Sequence, residues 1–227
     1  SIAVAAAFGF VFALVTAFTG DRSGAVIART QPMKLAAMEA LYEGSEGAPL
    51  TVVGVLQSEE KRSAGETFHF RIDIPKLLSI MSFRDAEAYV AGINDLIGGN
   101  AGRGILSAEE KIARGRAVVA TLDRYRTARD AGDEGTMRQI EELFDPDTAQ
   151  GEHFLREYFA YFGYGHIDDV QQLVPNVPLL FYSFRVMVGA GCLFILVLGL
   201  VWWYNRRDRL ASKRWLLHTA CLLYTSD

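Results

Sequence analysis

The chain has 227 residues, of which 50% are hydrophobic and 22% charged, and its formal net charge is −4. This charge gives no basic footprint of the kind that binds nucleic acid, so we expect no nucleic-acid partner. The two cysteines, Cys192 and Cys221, form no CxxC motif, no zinc-binding spacing and no disulfide framework.

The apolar residues concentrate in two blocks near the ends of the chain. Residues 2–19 have no charged side chain and are just long enough to cross a bilayer. Residues 179–204 are a longer apolar block in which Arg185 is the one charged side chain. We therefore predict a mainly α membrane protein with two transmembrane helices on either side of a polar region. The predicted segments are a transmembrane helix at 1–19, a loop region at 20–177, a second transmembrane helix at 178–205, a basic loop at 206–220 and a tail at 221–227.

The segment after the first predicted span combines turn residues, a proline and charged side chains. Gly20 and Asp21 are typical of a helix end or a turn. Pro32 then favours the first turn of a short helix that we expect to end near Gly44. Lys34 and Glu39 are five residues apart, about 140° around a helix, so they are not a standard same-face ion pair. By pattern alone, this helix is interpreted as a solvated amphipathic one.

Two β-rich stretches follow, at residues 50–56 and 67–74, and a polar connection between them predicts a small hairpin. In the second stretch, Phe68, Phe70, Ile72 and Ile74 alternate with polar residues, as in a half-buried strand. His69 lies on the polar side, where a surface role is favoured over metal binding.

The rest of the central region predicts a series of helices. Ser107 and Glu110 have the spacing of a capping box, which predicts a charged helix from there to about Ala131. An aromatic stretch near residues 154–164 is typical of an interfacial belt, and a quinone-contacting surface is the alternative. The other predicted elements are one or two short helices at 76–97, a turn at 98–104, and helices at 134–144 and 154–162.

Arg185 and Met187 are the unusual residues of the second predicted span. An arginine in or near hydrocarbon is expensive and points to function, although near a helix end it can snorkel to the surface. Met187 is typical of packing, and a thioether is also a soft axial ligand for haem iron. Gly189, Ala190 and Gly191 would let a macrocycle or another helix approach closely.

Basic residues after the second predicted span set the topology. They are Arg206, Arg207, Arg209, Lys213 and Arg214. The positive-inside rule places this end in the cytoplasm, which puts the region at 20–177 on the periplasmic side. A third apolar segment starts at Trp215 and does not finish, so we expect a fragment of a larger membrane subunit. Residues 221–227 resemble the translation of a sequencing adaptor, and we interpret them as a non-native tail.

Three motifs identify a family. GDRSG, QPMKLAAMEALYEG and VPNVPLLFYSFRVMVGAG resemble subunit I of the cytochrome bd quinol oxidases, at the start and the end of the quinol-binding loop. The resemblance implies that Lys34 and Glu39 bind and oxidise quinol, with Glu39 accepting a proton and Lys34 bonding to a quinone oxygen. It implies that Met187 is an axial ligand of the low-spin haem b, with Arg185 beside that haem. Asp21 is a weaker candidate for the quinol site.

The resemblance also implies the reaction of the complete protein. Electrons from ubiquinol or menaquinol would pass to haem b, then to a second haem b and haem d, where oxygen is reduced to water. This reaction contributes to the proton motive force across the bacterial inner membrane. Subunit II is the implied partner, and a small accessory subunit is left open. The remaining haem ligands would lie outside this chain, so the fragment alone is expected to be inactive.

There are two alternatives to this function. The first is a two-span membrane sensor with a periplasmic ligand-binding domain, which should continue into a cytoplasmic signalling domain. The apolar segment at Trp215, soon after the second predicted span, instead favours a polytopic subunit. The second is a structural membrane subunit without redox chemistry, which the quinol and haem motifs disfavour.

Overall fold

The computed structural model describes residues 2–63, 65–207, 215–216 and 218–219. Its elements are mainly helical, with two small antiparallel sheets, which confirms the predicted fold class. The elements are α1 (Ile2–Thr30), α2 (Pro32–Glu39), β1 (Ser45–Glu46), β2 (Leu50–Leu56), α3 (Glu59–Ser63), β3 (Phe68–Ile74), α4 (Leu77–Phe83), β4 (Tyr89–Val90), α5 (Ile93–Gly98), α6 (Ala108–Ala131), α7 (Glu134–Leu143), α8 (Ala149–Glu157) and α9 (Val177–Arg206), with 3₁₀ turns at Ala101–Arg103, Phe159–His166 and Val170–Leu173.

The chain forms two compact units. The first contains residues 1–40, 45–90 and 176–227, and the second contains residues 41–44 and 91–175. The predicted loop region at 20–177 is therefore shared between both units.

Helices α1 and α9 are each long and apolar enough to cross a membrane. The predicted turn at Gly20 and Asp21 is wrong, because α1 continues without a break to Thr30. A glycine inside a helix costs only about 1 kcal/mol relative to alanine, which the neighbouring turns of a long helix can offset. The helix ends at Thr30, because the ring of Pro32 disfavours helical backbone at the preceding residue, Gln31, which has φ −136°.

Small residues let α1 and α9 approach each other. A Cβ on Gly9 would lie 3.2 Å from a methyl carbon of Leu198, and one on Gly199 would lie 3.2 Å from the ring of Phe10. Buried Ala6, Val197 and Val201 form a small core beside this crossing, to which Leu216 adds. Close approach through small side chains is the usual packing of helices in a membrane.

The predicted hairpin is present as β2 and β3, which pair antiparallel with Val53 opposite Ile72 and Val55 opposite Phe70. These four apolar side chains are 50–56% exposed, and so β3 is not the half-buried strand that its alternation predicts. At the start of β3, where the strand register shifts, the Phe68 ring packs 5.5 Å from that of Phe181 on α9. His69 is exposed, as predicted.

A second two-stranded sheet, β1 with β4, was not predicted from the sequence. Its strands have two residues each, too short for an alternating pattern to be visible. The hydroxyl of Ser79 on α4 accepts from the Ala48 N–H at 2.8 Å and donates to the Ala88 carbonyl at 2.8 Å. The buried Ser79 side chain therefore joins α4 to the segment after β1 and to the segment before β4.

In the second unit, α6 packs closely against the 3₁₀ turn Phe159–His166. A Cβ on Gly115 would lie 2.4 Å from the Gly165 nitrogen and 2.4 Å from the Tyr161 carbonyl oxygen, so only glycine fits there. The predicted helix start is confirmed, because the Ser107 hydroxyl accepts from the Glu110 N–H at 3.2 Å. The helix predicted at 154–162 is partly wrong: α8 ends at Glu157 and the aromatic stretch continues as 3₁₀ turns.

Three predictions lie mainly outside the described residues. They are the basic residues at 208–214, most of the third apolar segment from Trp215, and the tail at 221–227.

Candidate functional site

Helix α2 positions the residues that the sequence singles out. Pro32 occupies its first turn, and the Lys34 N–H donates to the Gln31 carbonyl at 3.0 Å. The helix ends at Glu39 because Ala40 takes the left-handed conformation, with φ 51°, and its N–H donates back to the Ala36 and Ala37 carbonyls. The predicted continuation to Gly44 is therefore wrong.

Lys34 and Glu39 point into different environments. Lys34 is exposed, whereas Glu39 is 5% exposed. The side chains between them, Leu35 to Met38, are also buried. The interpretation of α2 as a solvated helix is therefore wrong, and the expected lack of a Lys34–Glu39 pair holds among the described ion pairs.

Arg185 of α9 supplies the charge opposite Glu39. Its Nη2 donates to Glu39 Oε2 at 2.9 Å and to the Thr51 carbonyl at 2.7 Å. Its Nη1 donates to the Met38 carbonyl at 2.9 Å and to the Phe181 carbonyl at 3.2 Å. One guanidinium therefore connects α9, the end of α2 and the start of β2.

The Glu39 carboxyl is in a setting that suits a proton acceptor. Burial raises its pKa above the ordinary value of 4.5, and the charge and hydrogen bond of Arg185 offset only part of that rise. A base works best when its pKa lies near the working pH, so this rise moves Glu39 in the useful direction.

The Arg185 guanidinium also lies on an aromatic ring. Its central carbon is 3.4 Å from the centroid of the Phe181 ring, a cation–π contact within one turn of α9. Its Nε is buried and has no hydrogen-bond partner in the described part of the chain. Arg185 is thus held on one side of its helix by a carboxylate, three carbonyls and a ring.

Met187 lies on another side of α9. Two residues correspond to about 200° around a helix, so Met187 faces away from Arg185. Its side chain is 61% exposed, and a Cβ on Gly189 or Gly191 would have no neighbour within 4 Å. The structure brings Arg185 to Glu39 and leaves Met187 on an open helix face.

Asp21 lies on α1 and pairs with Arg84, which follows α4. The two side chains line a groove of about 530 Å³ together with Phe18, Arg22, Ala25, Val26 and Arg29. Among the described hydrogen bonds, Asp21 contacts Arg84 and does not contact Lys34, Glu39 or Arg185.

The family model for cytochrome bd terminal oxidase subunit I matches residues 1–226. The chain belongs to this family. The cytochrome bd-II ubiquinol oxidase subunit 1 of Escherichia coli K12 is 28% identical over 230 residues, which cover 97% of this chain and 40% of the relative. The cytochrome bd ubiquinol oxidase subunit 1 of Bacillus subtilis 168 is 23% identical over 218 residues, with coverages of 96% and 32%.

The chain is also similar to a further relative over a shorter stretch and to a solved structure. A putative cytochrome bd menaquinol oxidase subunit I of B. subtilis 168 is 32% identical over 94 residues, 41% of this chain and 20% of the relative. The solved bd oxidase from Geobacillus thermodenitrificans is 24% identical with a TM-score of 0.34, covering 95% of this chain and 43% of that one. The chain thus spans 40% or less of the length of these curated relatives.

The cytochrome bd family implies haem, and the residues present fit one half of a haem site. Met187 offers an exposed thioether, and the open space beside Gly189 and Gly191 leaves room for a flat macrocycle. Among the described residues, no cluster of three or more His, Cys, Asp or Glu side chains could hold a metal ion. Met187 therefore offers one thioether that would suit a haem iron.

The connection between Glu39 and Arg185 was missed in the sequence, because the two residues are 146 positions apart. One signal points toward it: a charged side chain inside a predicted span is usually paired. That rule predicts a carboxylate partner for Arg185 without choosing Glu39 among the acidic residues. Arg185 also bonds to the backbone carbonyls of Met38 and Thr51, and such contacts cannot be predicted from the side chains at those positions.

Proposed function

We propose that this chain is part of a respiratory terminal oxidase that oxidises a membrane quinol on the periplasmic side and reduces oxygen to water. Membership of the cytochrome bd subunit I family supports this proposal. The names of the relatives add support, since two of them are ubiquinol oxidase subunits and one is a putative menaquinol oxidase subunit. The same membership disfavours a two-span sensor.

The observation that carries the proposal is the buried Glu39 held by Arg185 at 2.9 Å. Oxidation of a quinol to a quinone releases two electrons and two protons, so the site needs a group that accepts a proton. Glu39 is buried enough to have a raised pKa, and Arg185 keeps its carboxylate oriented. In this proposal Glu39 takes a quinol proton and passes it to the outer aqueous phase.

Lys34 has a different role in the proposed site. It is exposed and has no ion pair among the described residues, so its ammonium group is available to an incoming ligand. An ammonium group donates hydrogen bonds and accepts none, which suits a quinone oxygen. Asp21 remains the weaker candidate, because its carboxylate is already paired with Arg84.

Met187 would hold the iron of haem b through its thioether sulfur, and the bound haem would supply one-electron redox chemistry. The complete oxidase would also hold a second haem b and haem d, with subunit II as a partner subunit. These groups and partners belong to the whole protein, of which the chain spans a minor part.

The test uses the complete oxidase with Lys34→Ala or Glu39→Ala introduced into this subunit. Each change should lower steady-state quinol oxidation, and Glu39→Ala should lower it by about 10²–10⁴-fold, the usual contribution of an acid–base group. The reduced-minus-oxidised haem spectrum should remain largely intact, because neither side chain is an expected haem ligand.

Matched controls separate this effect from a general loss of charge. Lys61→Ala and Glu60→Gln change exposed residues of α3 in the same unit and should leave the rate unchanged. A wild-type rate in both the Lys34 and the Glu39 variants would remove these residues from the quinol site.

A further inference from the structure

The groove beside Asp21 combines cationic and apolar side chains on one stripe of α1. Phe18, Arg22, Val26 and Arg29 follow one another at spacings of four, four and three residues, which places them on one helix face. Arg84 closes the groove from the end of α4. We propose that this groove binds an anionic glycerophospholipid, with its phosphate on the arginines and an acyl chain along Phe18.

Charge is the first argument. Three arginines line the groove and Asp21 is its one carboxylate, so the lining carries a net positive charge. Asp21 pairs with Arg84, while Arg22 and Arg29 have no carboxylate partner among the described ion pairs. The guanidinium of Arg22 lies over the Phe18 ring, 5.1 Å from its centroid. Arginine binds phosphate through two parallel hydrogen bonds, which makes phosphate the matching anion.

The apolar side of the groove is the second argument. Phe18 and Val26 are 60% and 58% exposed, so the cations sit beside an uncovered apolar surface. Inorganic phosphate would use the arginines and leave this surface in water. A neutral quinol would use the apolar surface and leave two arginines without a counter-charge. An anionic lipid covers the apolar surface and also supplies a counter-charge to the arginines.

Position along α1 is the third argument. The helix has no charged residue before Asp21, so the lipid-facing part ends there. Arg22 lies about 3 Å beyond Gly20 at a rise of 1.5 Å per residue, and the headgroup layer on each side of a bilayer is roughly 5–7 Å thick. The first unpaired arginine therefore lies at the depth of lipid phosphates, with Phe18 on its acyl side.

The experiment uses the complete oxidase in phosphatidylcholine nanodiscs and a phosphatidylglycerol probe with a diazirine in its acyl chain. After illumination, labelled peptides are mapped by mass spectrometry, with a phosphatidylcholine probe of the same chain as comparison. Labelling at residues 18–29 should favour phosphatidylglycerol by about 25-fold, since Arg22 and Arg29 should each add about fivefold in affinity for an anionic lipid.

Variants then separate the groove from general attraction. The pair Arg22→Gln and Arg29→Gln should abolish the preference, whereas Arg124→Gln with Arg138→Gln, two exposed arginines of the second unit, should keep it. Asp21→Asn removes the one negative charge and should increase labelling, a gain that misfolding does not produce. Equal labelling by both probes in the wild-type oxidase would overturn the proposal. So would displacement by millimolar inorganic phosphate, which would mark a simple anion site, or displacement by quinol.

Discussion

At the scale of single residues, the pairing of Glu39 with Arg185 shows how a buried charge is tolerated. Removing an ion from water costs several kcal/mol even after relaxation, and the attraction within a pair repays this only with additional hydrogen bonds. Arg185 meets this condition by donating to the carbonyls of Met38, Thr51 and Phe181 as well as to Glu39. The pair consequently holds Glu39 in place while leaving its pKa raised.

Met187 provides a prediction at the same scale. In the complete oxidase, Met187→Leu should alter the spectrum of the low-spin haem b, because leucine fills the same volume without a sulfur ligand. Met137→Leu, the same change on α7 of the second unit, should leave the spectrum as it is. An unaltered low-spin spectrum in the Met187 variant would remove Met187 as an axial ligand.

At the scale of elements, close backbone contact fixes the second unit. A side chain at Gly115 would meet the backbone of Gly165 and Tyr161, which cannot rotate away as a flexible side chain can. Overpacking of this kind costs about 1–3 kcal/mol. We expect Gly115→Ala to weaken the contact of α6 with the 3₁₀ turn Phe159–His166, and hydrogen exchange of both segments in the complete oxidase measures this.

The control for this change is Gly163→Ala, in the same 3₁₀ turn. A Cβ there would have no neighbour within 4 Å, so exchange should stay at the wild-type rate. Equal protection in the Gly115 and Gly163 variants would contradict the proposed tight contact.

The elements also show what sequence patterns can and cannot predict. Three predictions from sequence patterns are correct. The long apolar run predicted α9, the spacing of Ser107 and Glu110 predicted the start of α6, and alternating apolar residues predicted the β2–β3 hairpin. The turn predicted at Gly20 is wrong, because the stability of the long helix α1 exceeds the cost of placing Gly20 and Gly24 inside it. Alternation on β3 identified a strand but not its buried side, because burial depends on what packs against it.

At the scale of the whole molecule, the site was only partly predictable. The motifs gave Lys34, Glu39, Arg185 and Met187 as separate candidates, while their arrangement depends on how α2, β2 and α9 meet. That arrangement joins residues from distant parts of the chain, and no local periodicity encodes it. Arg185, which the sequence predicts beside a haem, also holds the proposed quinol base Glu39.

The central claim is that Glu39 is the proton-accepting base and that Arg185 tunes it. A base must be deprotonated to act, so the rate of quinol oxidation falls as the pH drops through its pKa. In the wild-type oxidase this fall should centre above 4.5, the ordinary value for a glutamate, because burial raises the Glu39 pKa. Arg185 lowers that pKa through its charge and hydrogen bond, so its loss raises it further.

The most direct measurement is the pH dependence of quinol oxidation in complete oxidases with matched haem content. Arg185→Gln should move the acid limb to higher pH, and Glu39→Gln should remove it. Arg126→Gln, which removes an exposed arginine paired with Asp123 on α6, should leave the limb in place. Superimposable acid limbs in the wild-type, Arg185 and Glu39 variants would contradict the account.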